Sequence, residues 1–356
     1  MPWLTACQSD ELLDKTLSEG TQIRLSADIA LPESADTRTP YEWTTPSTQN
    51  YLDASVWASN VVLSSRAGIG NFTHNAGSTG STGTIQYQAS IHFEDGVNQL
   101  LTEDLVYPEG SSEGNPVYFI GLHPNTAWAY TTDGASTSSA SQAFFGYRDF
   151  MYAPQVSGYK DITLNPNLHF FHLLTWLRVE VKVSQAAAAA SWGSLTNIVL
   201  NNQNRQITID LSTVPTIDSD FSVTQTNIGN LVTFSSVDPT TLDLYVTDSN
   251  TSLGAAAPIT LTTTETEVAY VLCEPFKNAT NENPATYNMT VYTENRSDGV
   301  PVSVTLKSDE NTNFTGSTMG RQFVITLTFG EGGYISSKAR VTEWLPGGYI
   351  TKDVEE

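Results

Sequence analysis

Two histidines three positions apart, in His169-Phe170-Phe171-His172, come nearest to a ligand pair in this chain. A metal site needs its ligands to converge on one point, and an offset of three places side chains on opposite faces of a strand. A metal role there requires a helix or a bend and further ligands, so packed or capping histidines are expected and no metal site is. His74, His92 and His123 stand alone among loop and strand residues. The two cysteines, Cys7 and Cys273, lie too far apart in the chain to argue a disulfide framework or a thiolate cluster. Cys273 sits in the apolar run 268–273 and reads as a packed core residue. There is no Gly-x-Ser-x-Gly elbow with partners, no P-loop, no His-Glu-x-x-His and no dinucleotide fingerprint. The paired carboxylates of glycoside hydrolysis can lie far apart in sequence, but nothing singles out such a pair. No enzymatic activity and no cofactor are expected.

The chemistry that does have a pattern lies between residues 4 and 40. Leu4-Thr5-Ala6-Cys7 resembles the lipobox that ends a bacterial lipoprotein signal, with Cys7 as the lipidated residue. Met1-Pro2-Trp3 is too short for a full signal peptide, as if the signal had been cut short. Residues 8–20 are polar and acidic, as a tether is. Over 21–31 the chain then alternates without a break. Ile23, Leu25, Ala27, Ile29 and Leu31 point one way, and Gln22, Arg24, Ser26, Asp28 and Ala30 the other. This is the period-2 pattern of a half-buried strand. Residues 33–40 are polar and contain a lone arginine, Arg38, followed by Thr39. A strand lying between an anchor and a protease site has the arrangement of a strand meant to be removed.

These features sit in a chain of 356 residues, longer than a usual single core and most simply two domains. Charged residues make up only 15% and hydrophobic ones 39%, with many Thr, Ser, Asn and aromatics, which suits exposed sandwich sheets better than helical bundles. A formal charge of −22, from 16 basic against 38 acidic residues, repels phosphate backbones, so nucleic acid is not an expected partner. No apolar stretch is long enough for a transmembrane helix. Trp43, Trp57, Trp128, Trp176, Trp192 and Trp344 are expected to pack in the body, although exposed tryptophans could stack on sugars.

Short apolar or alternating runs at 56–63, 84–93, 100–106, 117–122 and 127–130 are separated by Gly, Asn, Ser and Pro clusters. Residues 154–160 read as a connector. The most hydrophobic segment, 168–183, ends in a strand in which Leu177, Val179, Val181 and Val183 alternate with Trp176, Arg178, Glu180 and Lys182. Residues 186–190 are five alanines and suit one helical turn. Further strands are expected at 197–200, 206–211, 242–246, 267–273, 287–292, 300–306, 322–329 and 337–344. The expected division is lipobox and tether at 1–20, an N-terminal sandwich at 21–160 and a C-terminal sandwich at 161–356.

Taken in order, these segments resemble the fimbrillins, the type V pilins of Bacteroidales, in their Mfa-like and FimA-like branch. Cys7 matches the lipidated cysteine, 21–31 the first strand, and Arg38-Thr39 the place where an Arg-specific protease cuts in that family. Asp149-Phe150-Met151-Tyr152-Ala153, followed by His172-Leu173-Leu174-Thr175-Trp176-Leu177-Arg178, is similar to the Mfa-like branch. Gln322-Phe323-Val324-Ile325-Thr326-Leu327-Thr328-Phe329 and Ala339-Arg340-Val341-Thr342-Glu343-Trp344 resemble the closing strand pair. The loops 68–83 and 212–250 match nothing in the family.

The resemblance implies an all-β chain of two tandem transthyretin-like β-sandwich domains, exported as an outer-membrane lipoprotein through the lipid on Cys7. It implies a fimbrial subunit or cell-surface adhesin, cut by an Arg-specific protease and joined to other pilin subunits by strand exchange. Removing the first strand would leave an apolar groove with unpaired edges that a neighbour's strand can fill. Burial of the five inward residues would contribute on the order of 5 to 10 kcal/mol before entropy. The tail after Trp344 is a departure. Ile350, Lys352 and Val354 alternate poorly, and Pro346-Gly347-Gly348 favours a turn. This fits a subunit with a short donor, or a tip or accessory subunit that accepts a strand and donates none. The alternative reading is a monomeric surface lipoprotein that binds glycans through exposed tryptophans and long Gly/Ser/Thr loops.

Overall fold

The computed structural model describes residues 21–29, 51–59, 62–63, 66–67, 87–94, 99–100, 105–133, 136–211, 213, 225–236, 238, 240–247, 249–308 and 312–342. Strands dominate these residues, and the chain is all-β.

The expected first strand forms as β1 (Arg24–Ile29). It belongs to a seven-stranded sheet with β2 (Tyr51–Ser59), β5 (Tyr87–Glu94), β6 (Gln99–Leu100), β8 (Val117–His123), β11 (Met151–Gly158) and β12 (Asn167–His172), in the order β5-β2-β8-β11-β12-β1-β6. Three two-residue strands, β3 (Val62–Leu63), β4 (Arg66–Ala67) and β7 (Leu105–Val106), make a small sheet of their own. Both faces of the large sheet are buried along β8, whose seven residues are all in the interior. One face, with Leu52, Ala54, Val56, Phe119, Met151, Ala153, Leu168 and Phe170, closes a core of its own. The other face, with Trp57, Ile120, Leu122 and Phe171, joins the larger core of the remaining chain.

Three further sheets bound that larger core. β9 (Ala129–Asp133) and β10 (Ser136–Ala143) pair with β15 (Gln206–Asp210) and β16 (Val232–Ser235) in the order β16-β15-β10-β9. β13 (Thr175–Val183), β18 (Tyr245–Val246), β19 (Thr266–Cys273), β22 (Gln322–Phe329) and β23 (Ile335–Thr342) run in the order β18-β19-β13-β22-β23. Opposite the five-stranded sheet lie β14 (Leu195–Gln203), β17 (Thr240–Asp243), β20 (Thr286–Thr293) and β21 (Arg296–Thr305), ordered β17-β14-β20-β21. Alternation sets which side faces in: Leu177, Val179, Val181, Ile325 and Leu327 meet Ile198, Leu200, Met289 and Val304 across the sandwich. The five alanines open α1 (Ala186–Trp192), whose Trp192 is buried and donates from Nε1 to the Gly330 carbonyl at 2.8 Å. A second short helix, α2, covers Gln225–Gly229.

One expectation is corrected. The connector read at 154–160 is in large part the second half of β11, a central strand. Its register against β8 shifts between Ala153 and Val156, and such an irregularity accommodates Pro154, which has no N–H to give a ladder. The segment 168–183 divides between two sheets, β12 lying with the strands that precede it and β13 with those that follow.

Candidate functional site

The site with the clearest construction is the berth of β1. Its alternation holds: Ile23 and Leu25 are fully buried, Ala27 nearly so and Ile29 partly, while Arg24 and Asp28 are exposed. Leu31, Cys7, Arg38 and Thr39 lie outside the described residues. On one side β1 runs parallel to β12 over four positions, from Ser26 opposite Asn167 to Ile29 opposite Phe170. On the other, among the described residues, it meets β6, with Arg24 opposite Leu100 and Leu25 opposite Gln99, and Gln22 bridges to Val106. Among the described residues the strand is thus paired on both edges, at the second position from the sheet's end.

The start of β1 is tied by the Tyr107 N–H, which donates to the Thr21 carbonyl at 2.9 Å, and its middle by the Ser26 N–H, which donates to Pro166 at 3.0 Å. The outward side chains add a polar seam along the β12 edge. Ser26 Oγ donates to Asn167 Oδ1 and Asn167 Nδ2 donates to Asp28 Oδ2, both at 2.9 Å. His169 Nδ1 contacts the Asp28 carboxylate. Exposed contacts of this kind fix register more than they stabilise.

Beside β1 the core face of the sheet is apolar. Phe170 stands edge-on to Phe93 with ring centroids 6.5 Å apart, and its ring lies over Gly121 of β8. A Cβ at 121 would sit 2.8 Å from Phe170 Cε1 and 3.1 Å from the Ala153 methyl. Glycine there lets a large ring lie flat against the sheet. Gly121→Ala is expected to cost about 1 to 3 kcal/mol by overpacking, read as a lower urea midpoint, with the loss reduced when Phe170→Leu is added.

The histidines part as strand geometry requires, His169 outward to Asp28 and His172 inward to Asp149. Among the described residues, no group of three His, Cys, Asp or Glu is placed to hold a metal ion. Cys273 is buried, its thiol donates weakly to the Thr175 carbonyl at 3.6 Å, and burial pushes its pKa up, so it stays an unreactive thiol. Trp57, Trp128, Trp176 and Trp192 are all buried, which removes them as sugar platforms. Trp43 and Trp344 lie outside the described residues. Sequence reasoning found β1 but not β12 as its partner, because a parallel neighbour some 140 residues away leaves no local signal.

No protein-family model and no curated protein sequence matches the chain. Solved structures do resemble it over nearly its whole length. A proposed cell adhesion protein from Bacteroides uniformis shares 12% identity at a TM-score of 0.49, over 91% of this chain and 98% of that one. A fimbrial protein from Bacteroides vulgatus shares 10% at 0.40, over 90% and 99%. The fimbrial anchor protein Mfa2 from Porphyromonas gingivalis shares 10% at 0.39, over 93% and 100%. These structural neighbours are fimbrial and cell-adhesion proteins.

Proposed function

We propose that the chain is a fimbrial subunit or cell-surface adhesin, built as two tandem transthyretin-like sandwiches and exported as a lipoprotein through Cys7. In this reading an Arg-specific protease cuts between Arg38 and Thr39, β1 leaves with the anchor, and a strand from another subunit takes its place at the outer membrane or in the fimbrium. The observation that carries it is the apolar seat of β1: Ile23, Leu25 and Ala27 are buried in one core with Leu168 and Phe170 of β12, in a strand one place from the sheet's end among the described residues. Extraction from that position opens a groove without dismantling the sheet between β5 and β12. The vacated edge of β12 and the apolar face at Leu168 and Phe170 would then need a new strand, which supplies both backbone bonds and alternate side chains. The division of sandwiches proposed is 21–160 and 161–356, with 1–20 as lipobox and tether.

Arg-specific proteolysis of the intact chain tests this directly. A single cut near Arg38, followed by concentration-dependent oligomers in light scattering, is the expected outcome, and Arg38→Ala should stay whole and monomeric. A cut chain that keeps residues 21–29 bound and stays monomeric would overturn the strand-exchange reading. The glycan-binding alternative gains no support from the buried tryptophans.

A further inference from the structure

A second binding surface lies far along the chain from β1, at the last strand of the five-stranded sheet. β23 pairs with β22 on one side only, from Gln322 opposite Thr342 to Phe329 opposite Ile335. In an antiparallel ladder, alternate residues of a strand turn both backbone groups toward the neighbour or both away from it. The Val341 N–H donates to the Lys307 carbonyl at 3.3 Å, off the β22 side. Ser337 and Ala339, two and four positions earlier, therefore also turn their N–H and C=O outward. Among the described residues no hydrogen bond reaches these backbone groups, although β21 passes alongside and the Ser337 hydroxyl donates to the Ser303 carbonyl at 3.2 Å. A cleft of about 1200 Å³ runs along this edge and over the adjoining face, and residues 337 to 340 line it without a gap.

The cleft is basic in a chain whose net charge is −22. Lys182, Lys307, Lys338 and Arg340 line it, against one carboxylate, Glu265. Lys182 pairs with Glu265 at 2.7 Å, and Arg340 lies 3.6 Å from Glu180 and 3.9 Å from Glu265. Two cations are left over. Lys307 meets only the neutral Asn313 amide oxygen, at 2.8 Å, and Lys338 has no acidic partner among the described residues. Charges on an edge strand commonly keep like edges apart. Cations do this selectively, since they repel a second copy of the same edge and favour an acidic strand.

The geometry points to β23 as a docking edge for an extended acidic peptide, added as a sixth strand with its carboxylates on Lys338 and Lys307. Ladder bonds to Ser337 and Ala339 would hold its backbone, and every second side chain would reach the same row of cations. Nothing in this requires cleavage at Arg38, so it stands or falls apart from the strand-exchange reading.

The test uses the intact, uncut chain and a labelled peptide, acetyl-Thr-Val-Glu-Val-Glu-Val-Thr-amide, read by fluorescence anisotropy. Three comparison ligands are its Gln-for-Glu analogue, a version N-methylated at alternate residues, and polygalacturonate. The acidic peptide is expected to bind at about 0.02 M salt and to weaken by about 0.3 M. The Gln analogue should bind at least about tenfold more weakly, the N-methylated peptide should not bind, and Lys338→Glu should lose affinity about tenfold with an unchanged melting temperature. No binding of the acidic peptide, equal binding of the Gln or N-methylated forms, or indifference to Lys338→Glu each overturns the proposal. Binding of polygalacturonate without the peptide also overturns it and assigns the cations to an acidic glycan.

Discussion

Leu25→Ala will destabilise the intact chain by about 3 kcal/mol, whereas Ser26→Ala, one residue along, will cost less than about 1 kcal/mol. Both side chains belong to the same strand, so the contrast isolates the face rather than the backbone. Leu25 is fully buried in the core closed by Leu168, Phe170 and Phe119. Its truncation leaves a void whose cost comes from lost burial plus the cavity, because the rings around it relax only partly. Ser26 loses one half-exposed hydrogen bond to Asn167, and water can replace it. Urea unfolding supplies the two differences. Hydrogen exchange adds location: amides of β12 bonded to β1 should lose protection in Leu25→Ala, while those of β22 should not. If the two variants cost the same, or if protection falls equally in both sheets, β1 is not a separable insert in an apolar groove. The same contrast bears on release. A cut chain carrying Leu25→Ala should shed residues 21–29 faster than the cut wild type, since the missing contacts are those that hold the strand after cleavage.

The alternation from Ile23 to Ile29 was legible in the sequence because a strand with one wet face writes its burial locally, and the pair β22 and β23 was legible for the same reason. What failed has a physical cause in each case. Pro154 hid β11, since a central strand ordinarily excludes proline and only the register shift beside it allows the exception. β10, with the sequence Ser-Thr-Ser-Ser-Ala-Ser-Gln-Ala, carries almost no apolar residues, and it is a strand through its pairing with β9 and β15 rather than through its own pattern. The berth of β1 was half legible. Its inward face was read from sequence, but the neighbour that ladders it, β12, and the Asp28 and His169 contact that marks the register come from far along the chain. The cations at β23 emerged only when Lys307 and Lys338, 31 positions apart in sequence, were seen to line one cleft.

Asp149→Ala will cost about 3 to 5 kcal/mol, the largest effect expected of any polar substitution among the described residues. Asp149 is fully buried, and its carboxylate contacts His172 Nδ1 on one oxygen and accepts the Phe150 N–H at 2.7 Å on the other. Removing it takes a charged partner from the His172 imidazole and an acceptor from the Phe150 amide in the interior, where lost polar partners are costly. His123 and His172 stand on either side of Met151, one strand away on each flank. His123 is buried, with Nδ1 2.6 Å from the Asp53 carbonyl and Nε2 without a hydrogen-bond partner among the described residues. Burial pushes its pKa below the ordinary 6.5, Arg148 and His172 push the same way, and the Asp53 carbonyl and Asp149 push back. A neutral ring donating from Nδ1 fits these surroundings. The sign then follows: below 6.5 the unfolded chain takes a proton at this position that the folded chain refuses. Stability should therefore fall as pH drops through and below that value, by up to about 1.4 kcal/mol per pH unit from this site. His123→Gln keeps a donor for the Asp53 carbonyl and removes the titration, so its urea midpoint should be lower at about pH 7.5 but less steep toward about pH 5. An unchanged slope would place the acid sensitivity elsewhere in the chain.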